Sequence, residues 1–187
     1  MAASALPHRL AQLPNALTVL RLLLIPVLVA LLVAAEGGQS LAAALVFMAA
    51  GITDQVDGWL ARRWRVESAF GKVVDPLADR LMIDAAVIML WLDSRLPWPA
   101  VALVIARDIL LVGGYRFVVP RGYDFEVNFV GKLATWILYA SLALMMLTAP
   151  GTGLPLWLFW AGLALAVVAA AAYVARAWRE VRRERAT

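Results

Sequence analysis

Six stretches of this chain are runs of roughly 20 mostly apolar residues, the length an α-helix needs to cross the hydrocarbon core of a bilayer. They cover residues 17–35, 41–60, 73–92, 99–118, 130–147 and 154–175. Lipid offers backbone N–H and C=O groups no partners, so segments of this length cross it as helices. The expected fold is therefore all-α, an integral membrane bundle of six transmembrane helices. Composition agrees, with 64% of the 187 residues hydrophobic where soluble domains are near half. No small-residue cleavage pattern follows the first run, so it reads as a retained helix rather than a removed signal peptide. Residues 1–187 read as one domain. Within it, residues 1–16, with "LPHRLAQLPN", mix apolar and polar types and suit a short interfacial helix or a frayed terminus. Residues 176–187 read as a basic cytoplasmic tail.

Charge orients the bundle. Arg62, Arg63 and Arg65 lie between the second and third runs. Arg121 lies between the fourth and fifth, with Arg116 and Lys132 at its edges, and the tail holds Arg176, Arg179, Arg182, Arg183 and Arg185. The opposite side carries only Arg95. The positive-inside rule then places both termini in the cytoplasm. The formal net charge of +4 is a topology signal on this reading, and the partners are membrane lipids rather than nucleic acid. Trp91, Trp98, Trp157, Trp160 and Trp178 fall at span ends, where aromatic belts form.

Against this background the stretch "TDQVDGWLARRWRVESAFGKVVDPLAD" stands out, because it sets Asp54, Asp57, Asp75 and Asp79 beside or inside apolar segments. Asp54 lies roughly 20 Å along the second span at about 1.5 Å per residue. Asp54 and Asp57 are three residues apart and Asp75 and Asp79 four, so each pair shares a helix face. A short loop makes the second and third helices antiparallel neighbours, which lets both pairs meet at the inner membrane face. Such acids either neutralise by raised pKa or bind a cation. The chain has no cysteine and one histidine, His8, which excludes thiolate sites and multi-histidine sites. Oxygen ligands favour a hard ion such as Mg²⁺, Mn²⁺ or Ca²⁺, and four carboxylates suffice for two ions that clamp a phosphoryl displacement. Gly58, Gly71 and Ala61 keep the walls small, either for a ligand or for tight helix packing. Arg62 could counter a phosphate. A competing reading of the acids is an ion or proton carrier.

The spacing D-x2-D-G-x2-A-R-x8-G-x3-D-x3-D, carried by Asp54, Asp57, Gly58, Ala61, Arg62, Gly71, Asp75 and Asp79, resembles the signature of the CDP-alcohol phosphatidyltransferase family. The resemblance implies transfer of a phosphatidyl group from CDP-diacylglycerol to an acceptor hydroxyl with release of CMP. It implies that Asp54, Asp57, Asp75 and Asp79 hold a divalent metal, Mg²⁺ or Mn²⁺, with two ions. It makes Asp79 the catalytic base and lines the CDP-donor site with Gly58, Ala61, Arg62 and Gly71. It also places the protein in a bacterial plasma membrane with a cytoplasm-facing site. Dimerisation is common in the resembled family, and the sequence itself carries no sign of a homodimer.

The acceptor is less fully written. "LPNALTVLRLLLIP" and "DPLAD" resemble both phosphatidylglycerophosphate synthases and cardiolipin synthases, as does "VGKLAT". "ARDILLVGG" is closer to the cardiolipin branch, since the other branch usually has Arg-Glu there. The acceptor is then glycerol-3-phosphate or phosphatidylglycerol, with an inositol phosphate or other alcohol as the alternative. Arg21, Arg107 and Lys132 are the candidate acceptor-binding cations. Each has a structural reading beside it. Arg21 and Lys132 would snorkel to an interface, and Arg107 would pair with Asp84 to orient two helices, as could Arg80. Asp108 reads as a structural partner.

Overall fold

The computed structural model of the chain describes residues 13–64, 69–118 and 129–184, with side chains described over 16–54, 78, 80–110, 130–172 and 175. Among the described residues there are six α-helices and no strand. They are α1 (Leu13–Val33), α2 (Leu41–Trp64), α3 (Ala69–Leu92), α4 (Trp98–Val118), α5 (Phe129–Leu147) and α6 (Gly153–Glu184). One helix stands at each of the six apolar runs. The helices α1, α5 and α6 hold windows long and apolar enough to cross a membrane, at Ala16–Val33, Val130–Leu147 and Gly153–Ala172. The other three are of similar length and carry the charged residues of the chain's middle. Residues 1–12, where most of the interfacial N-terminus was expected, lie outside the described residues.

Two boundaries differ from expectation in ways that matter. Helix α1 begins at Leu13, four residues before the apolar run, and takes in Pro14 at its start. Proline is welcome in a first helical turn because its missing N–H would have no intrahelical partner there. Helix α6 continues through the basic segment to Glu184, so what was expected as a tail is backbone-continuous with the last span. The "AAAAY" run and the Arg and Glu residues after it are good helix formers. At about 1.5 Å per residue such a helix is about 48 Å long, well over the roughly 30 Å of a hydrocarbon core.

The sequence reading sets no packing order beyond the neighbouring second and third helices. Among the described residues, α1 packs against both α2 and α3 more extensively than those two pack against each other. Helices α5 and α6 form the most extensive pair, α2 packs on α5, and α4 on α3 and α6. The core holds Leu28 and Leu32 of α1, Phe47 of α2, Met82 and Leu90 of α3, and Leu138 of α5. Close approach of α5 and α6 depends on Gly162, where a Cβ would lie 3.1 Å from the backbone N of Leu138. Small residues at such contacts let membrane helices gain van der Waals contact. Leu23, Ile109, Leu110 and Val168 are each more than half exposed, an apolar exterior suited to lipid.

The end where α1, α3 and α5 finish is tied together by Arg95. Its Nη1 donates to Gly37 O at 3.0 Å and its Nη2 to Thr148 O at 2.9 Å. The last carbonyls of a helix lack intrahelical donors, and a guanidinium there also suits the negative end of the helix dipole. Ser40 N donates to Met146 O at 2.8 Å, and Ser40 Oγ caps α2 by accepting from Ala43 N. The Glu36–Gly38 turn before it needs two left-handed residues, Gly37 at φ 58° and Gly38 at φ 68°.

Candidate active site

The signature residues are carried by the second half of α2 and the first half of α3. The backbone is helical at Asp54, Asp57, Gly58, Ala61 and Arg62, and again at Gly71, Asp75 and Asp79. Helical register therefore puts Asp54 and Asp57 on one face of α2, and Asp75 and Asp79 on one face of α3. The side chains at Asp57, Gly58, Ala61, Arg62, Gly71, Asp75 and Asp79 lie outside the described residues, as does any meeting of the acid pairs.

Asp54 is described in full. Its Oδ1 lies 2.6 Å from Nη1 of Arg21 on α1, whose side chain is fully buried while that of Asp54 is 22% exposed. The snorkelling expected for Arg21 is thereby overturned. Because α1 starts at Leu13, Arg21 sits two turns into the helix rather than one. There it is buried against Asp54 of α2 instead of reaching the membrane surface. The residue before the acid is also held: Thr53 Oγ1 donates to Ala49 O and to Ala50 O, each at 2.9 Å. Such hydroxyl back-bonding satisfies a polar group inside a helix.

A second charged group ties α3 to α4. Arg80 Nη1 donates to Asp108 Oδ1 at 2.5 Å, and Arg107 Nη1 stands 3.4 Å from the same oxygen. Asp108 is thus the structural partner it was expected to be. Arg80 and Arg107 both turn to Asp108, and the buried Oδ1 of Asp84 has no hydrogen-bond partner. Arg80 follows Asp79 directly in sequence, so this pair anchors α3 one residue from the expected base. Lys132 is exposed in the first turn of α5. Arg21, Arg107 and Lys132 therefore have separate settings: a motif acid, the α3–α4 pair and the surface.

Beside the motif, α2 and α5 line a half-open cavity of about 190 Å³ with Met48, Gly51, Ile52, Thr135, Trp136 and Tyr139 among others. Its lining is almost wholly apolar. Gly51 allows the ring of Tyr139 to lie against α2, since a Cβ there would stand 2.8 Å from it. Phe47 stacks on the same ring at 4.8 Å. The cavity begins one helical turn from Asp54.

These features define a helical membrane protein with Asp54 of α2 ion-paired to Arg21 of α1 among packed helices. Residues 11–168 match the family model of CDP-alcohol phosphatidyltransferase. A probable phosphatidylglycerophosphate synthase of Mycobacterium tuberculosis is 35% identical over 181 residues, covering 92% of this chain and 85% of the relative. The CDP-diacylglycerol–glycerol-3-phosphate 3-phosphatidyltransferase of Escherichia coli is 34% identical over 164 residues, covering 85% of this chain and 87% of the relative. The Bacillus subtilis protein of the same name is 32% identical over 166 residues, covering 78% and 86%. The chain belongs to the CDP-alcohol phosphatidyltransferase family. It is a transferase and an integral membrane protein, and its relatives lie on the phosphatidylglycerophosphate synthase branch.

Proposed function

We propose that this protein transfers the phosphatidyl group of CDP-diacylglycerol to glycerol-3-phosphate, releasing CMP, in a six-span bundle forming one domain. The site faces the cytoplasm of a bacterial plasma membrane. The observation that carries the acceptor is the set of relatives, named for glycerol-3-phosphate in Escherichia coli and Bacillus subtilis. The reading that favoured phosphatidylglycerol rested on Asp108 in "ARDILLVGG". Asp108 carries ion pairs to Arg80 and Arg107, so the branch difference at that position has a packing use between α3 and α4.

The donor set suits a divalent metal. Four carboxylates on two helices, with no cysteine and His8 far away in sequence, offer oxygen ligands only, the chemistry of Mg²⁺ or Mn²⁺. Asp54, Asp57, Asp75 and Asp79 would hold it, with two ions, and it would supply charge stabilisation on the pyrophosphate. Asp79 takes the proton from the acceptor hydroxyl as that oxygen attacks the phosphorus of the donor, and CMP leaves. Gly58, Ala61 and Gly71 keep the walls low for the cytidine diphosphate, and Arg62 meets its charge. The apolar cavity between α2 and α5 is suited to part of an acyl chain. Lys132, exposed in the first turn of α5, is the cation for the acceptor phosphate, while Arg107 stands with Asp108 in the α3–α4 pair. Positioning of donor and acceptor supplies much of the rate, since no covalent intermediate is required.

The test is CMP release by purified protein with CDP-diacylglycerol and Mg²⁺ or Mn²⁺, offered glycerol-3-phosphate, phosphatidylglycerol or inositol phosphate in turn. Thin-layer analysis identifies the lipid formed. Phosphatidylglycerophosphate is expected. Cardiolipin as the product would move the acceptor to phosphatidylglycerol, and no CMP with any acceptor would overturn the donor.

A further inference from the structure

One cation paired with a motif acid comes from a helix that carries none of the motif. Arg21 is fully buried, and its Nη1 lies 2.6 Å from Asp54 Oδ1. It is the one charged residue among those of α1. A guanidinium at such a place is costly unless it is paired. Its position follows from the packing of α1 against both α2 and α3, the helices that bear the acids.

The pairing has a consequence for the acids themselves. Asp54 and Asp57 share a face of α2, and two further acids share a face of α3. Like charges so arranged repel, and repulsion drives side chains into rotamers that point apart. A guanidinium with its Nη1 2.6 Å from Asp54 Oδ1 opposes this, because the planar donors of an arginine can fix a carboxylate more closely than an ammonium can. We propose that Arg21 is a positioning residue for the cation site, holding Asp54 in the orientation in which it joins Asp57, Asp75 and Asp79 on a divalent metal. This rests on the metal-binding reading given above. It also moves Arg21 from the acceptor pocket to the support of the donor-side acids.

The effect has a sign that separates this role from two others. A positive charge beside a cation site repels the incoming ion, so charge alone predicts that removing Arg21 tightens metal binding. A packing role alone predicts no change in a protein that remains folded. Positioning predicts weaker binding, by about tenfold or more, as is common when a partner orienting a metal ligand is lost.

The experiment is Mn²⁺ titration of the detergent-purified full chain, without substrate, with free Mn²⁺ read by electron paramagnetic resonance. Wild type, Arg21→Met, Arg21→Lys and Asp57→Ala are compared, with thermal unfolding without metal as a separate check of folding. Wild type is expected to bind and Asp57→Ala to lose binding. Arg21→Met is expected to bind about tenfold more weakly and Arg21→Lys to fall between. Arg21→Lys keeps the charge, so it decides the matter even where Arg21→Met does not fold. Unchanged or tighter binding in the folded Arg21 variants overturns the positioning role while leaving the metal reading in place. No binding by wild type, or wild-type binding by Asp57→Ala, overturns the metal reading and this role with it.

Discussion

Asp108 shows how much a single carboxylate can anchor in a low-dielectric setting. It is 4% exposed and takes Arg80 from α3 while Arg107 of its own helix stands close by. Removing one partner of a buried pair costs more than the pair is worth, because a charge is left behind. Asp108→Leu should therefore lower stability by about 3–5 kcal/mol. Arg80→Met should cost less, about 1–3 kcal/mol, since Arg107 remains within reach of Asp108. Thermal unfolding in detergent would show the order, and equal losses would contradict it. At the same scale, Asp79→Asn should reduce CMP release by a factor of about 10²–10⁴. Much of the stabilisation of the protein by CDP-diacylglycerol should survive, because an amide can still occupy the place but cannot accept the proton. Wild-type turnover in that variant would remove Asp79 from the role of base.

Between helices, the decisive contacts are where side chains are smallest or most forked. Gly162 lets α6 approach within 3.1 Å, measured from an added Cβ to the backbone N of Leu138. Backbone cannot yield as a side-chain tip can, so Gly162→Ala should cost about 1–3 kcal/mol by overpacking. Gly51→Ala meets the ring of Tyr139 instead, and should be milder because the ring can turn toward the neighbouring cavity. A comparison of the two melting temperatures checks this, with Gly162→Ala expected to be lower. Arg95 joins the turn after α1 to the C-terminus of α5 through Gly37 O and Thr148 O. Its replacement by Met should lower stability by about 1–2 kcal/mol with CMP release at permissive temperature retained, since these contacts stand at the end away from the motif. Loss of activity without loss of stability would show that this end communicates with the site.

For the molecule as a whole, the arrangement is a set of apolar helices that hold a charged middle. The helices α1, α5 and α6 present long apolar windows, and among the described residues of the other three, Asp54, Arg80 and Asp108 stand in interhelical ion pairs. Chelation should follow from this. EDTA should abolish CMP release, and Mg²⁺ or Mn²⁺ should restore it, because the proposed site relies on divalent ions held by the four motif carboxylates. Retained activity after exhaustive chelation would contradict a metal-dependent reaction.

What was legible in the sequence was local. Runs of apolar residues located the helices, because bilayer thickness sets their length and lipid forces their hydrogen bonding inward. The 3.6-residue period placed Asp54 with Asp57 and Asp75 with Asp79 on shared faces, and the spacing of eight positions pointed to the family. The signal for Arg21 was also present, as a lone charge in an apolar run. Its depth was misjudged because Pro14 and Asn15 interrupt the apolar run and hid the true start of α1. The pairings themselves belonged to the tertiary structure. That α1 packs against both acid-bearing helices, that Arg21 meets Asp54, and that Arg80 meets Asp108 rather than Asp84 depend on the order of helices around the bundle. Helical periodicity is decided by neighbours a few residues away and is written along the chain. Which face meets which is decided by the packing of all the helices at once, and no local pattern contains it.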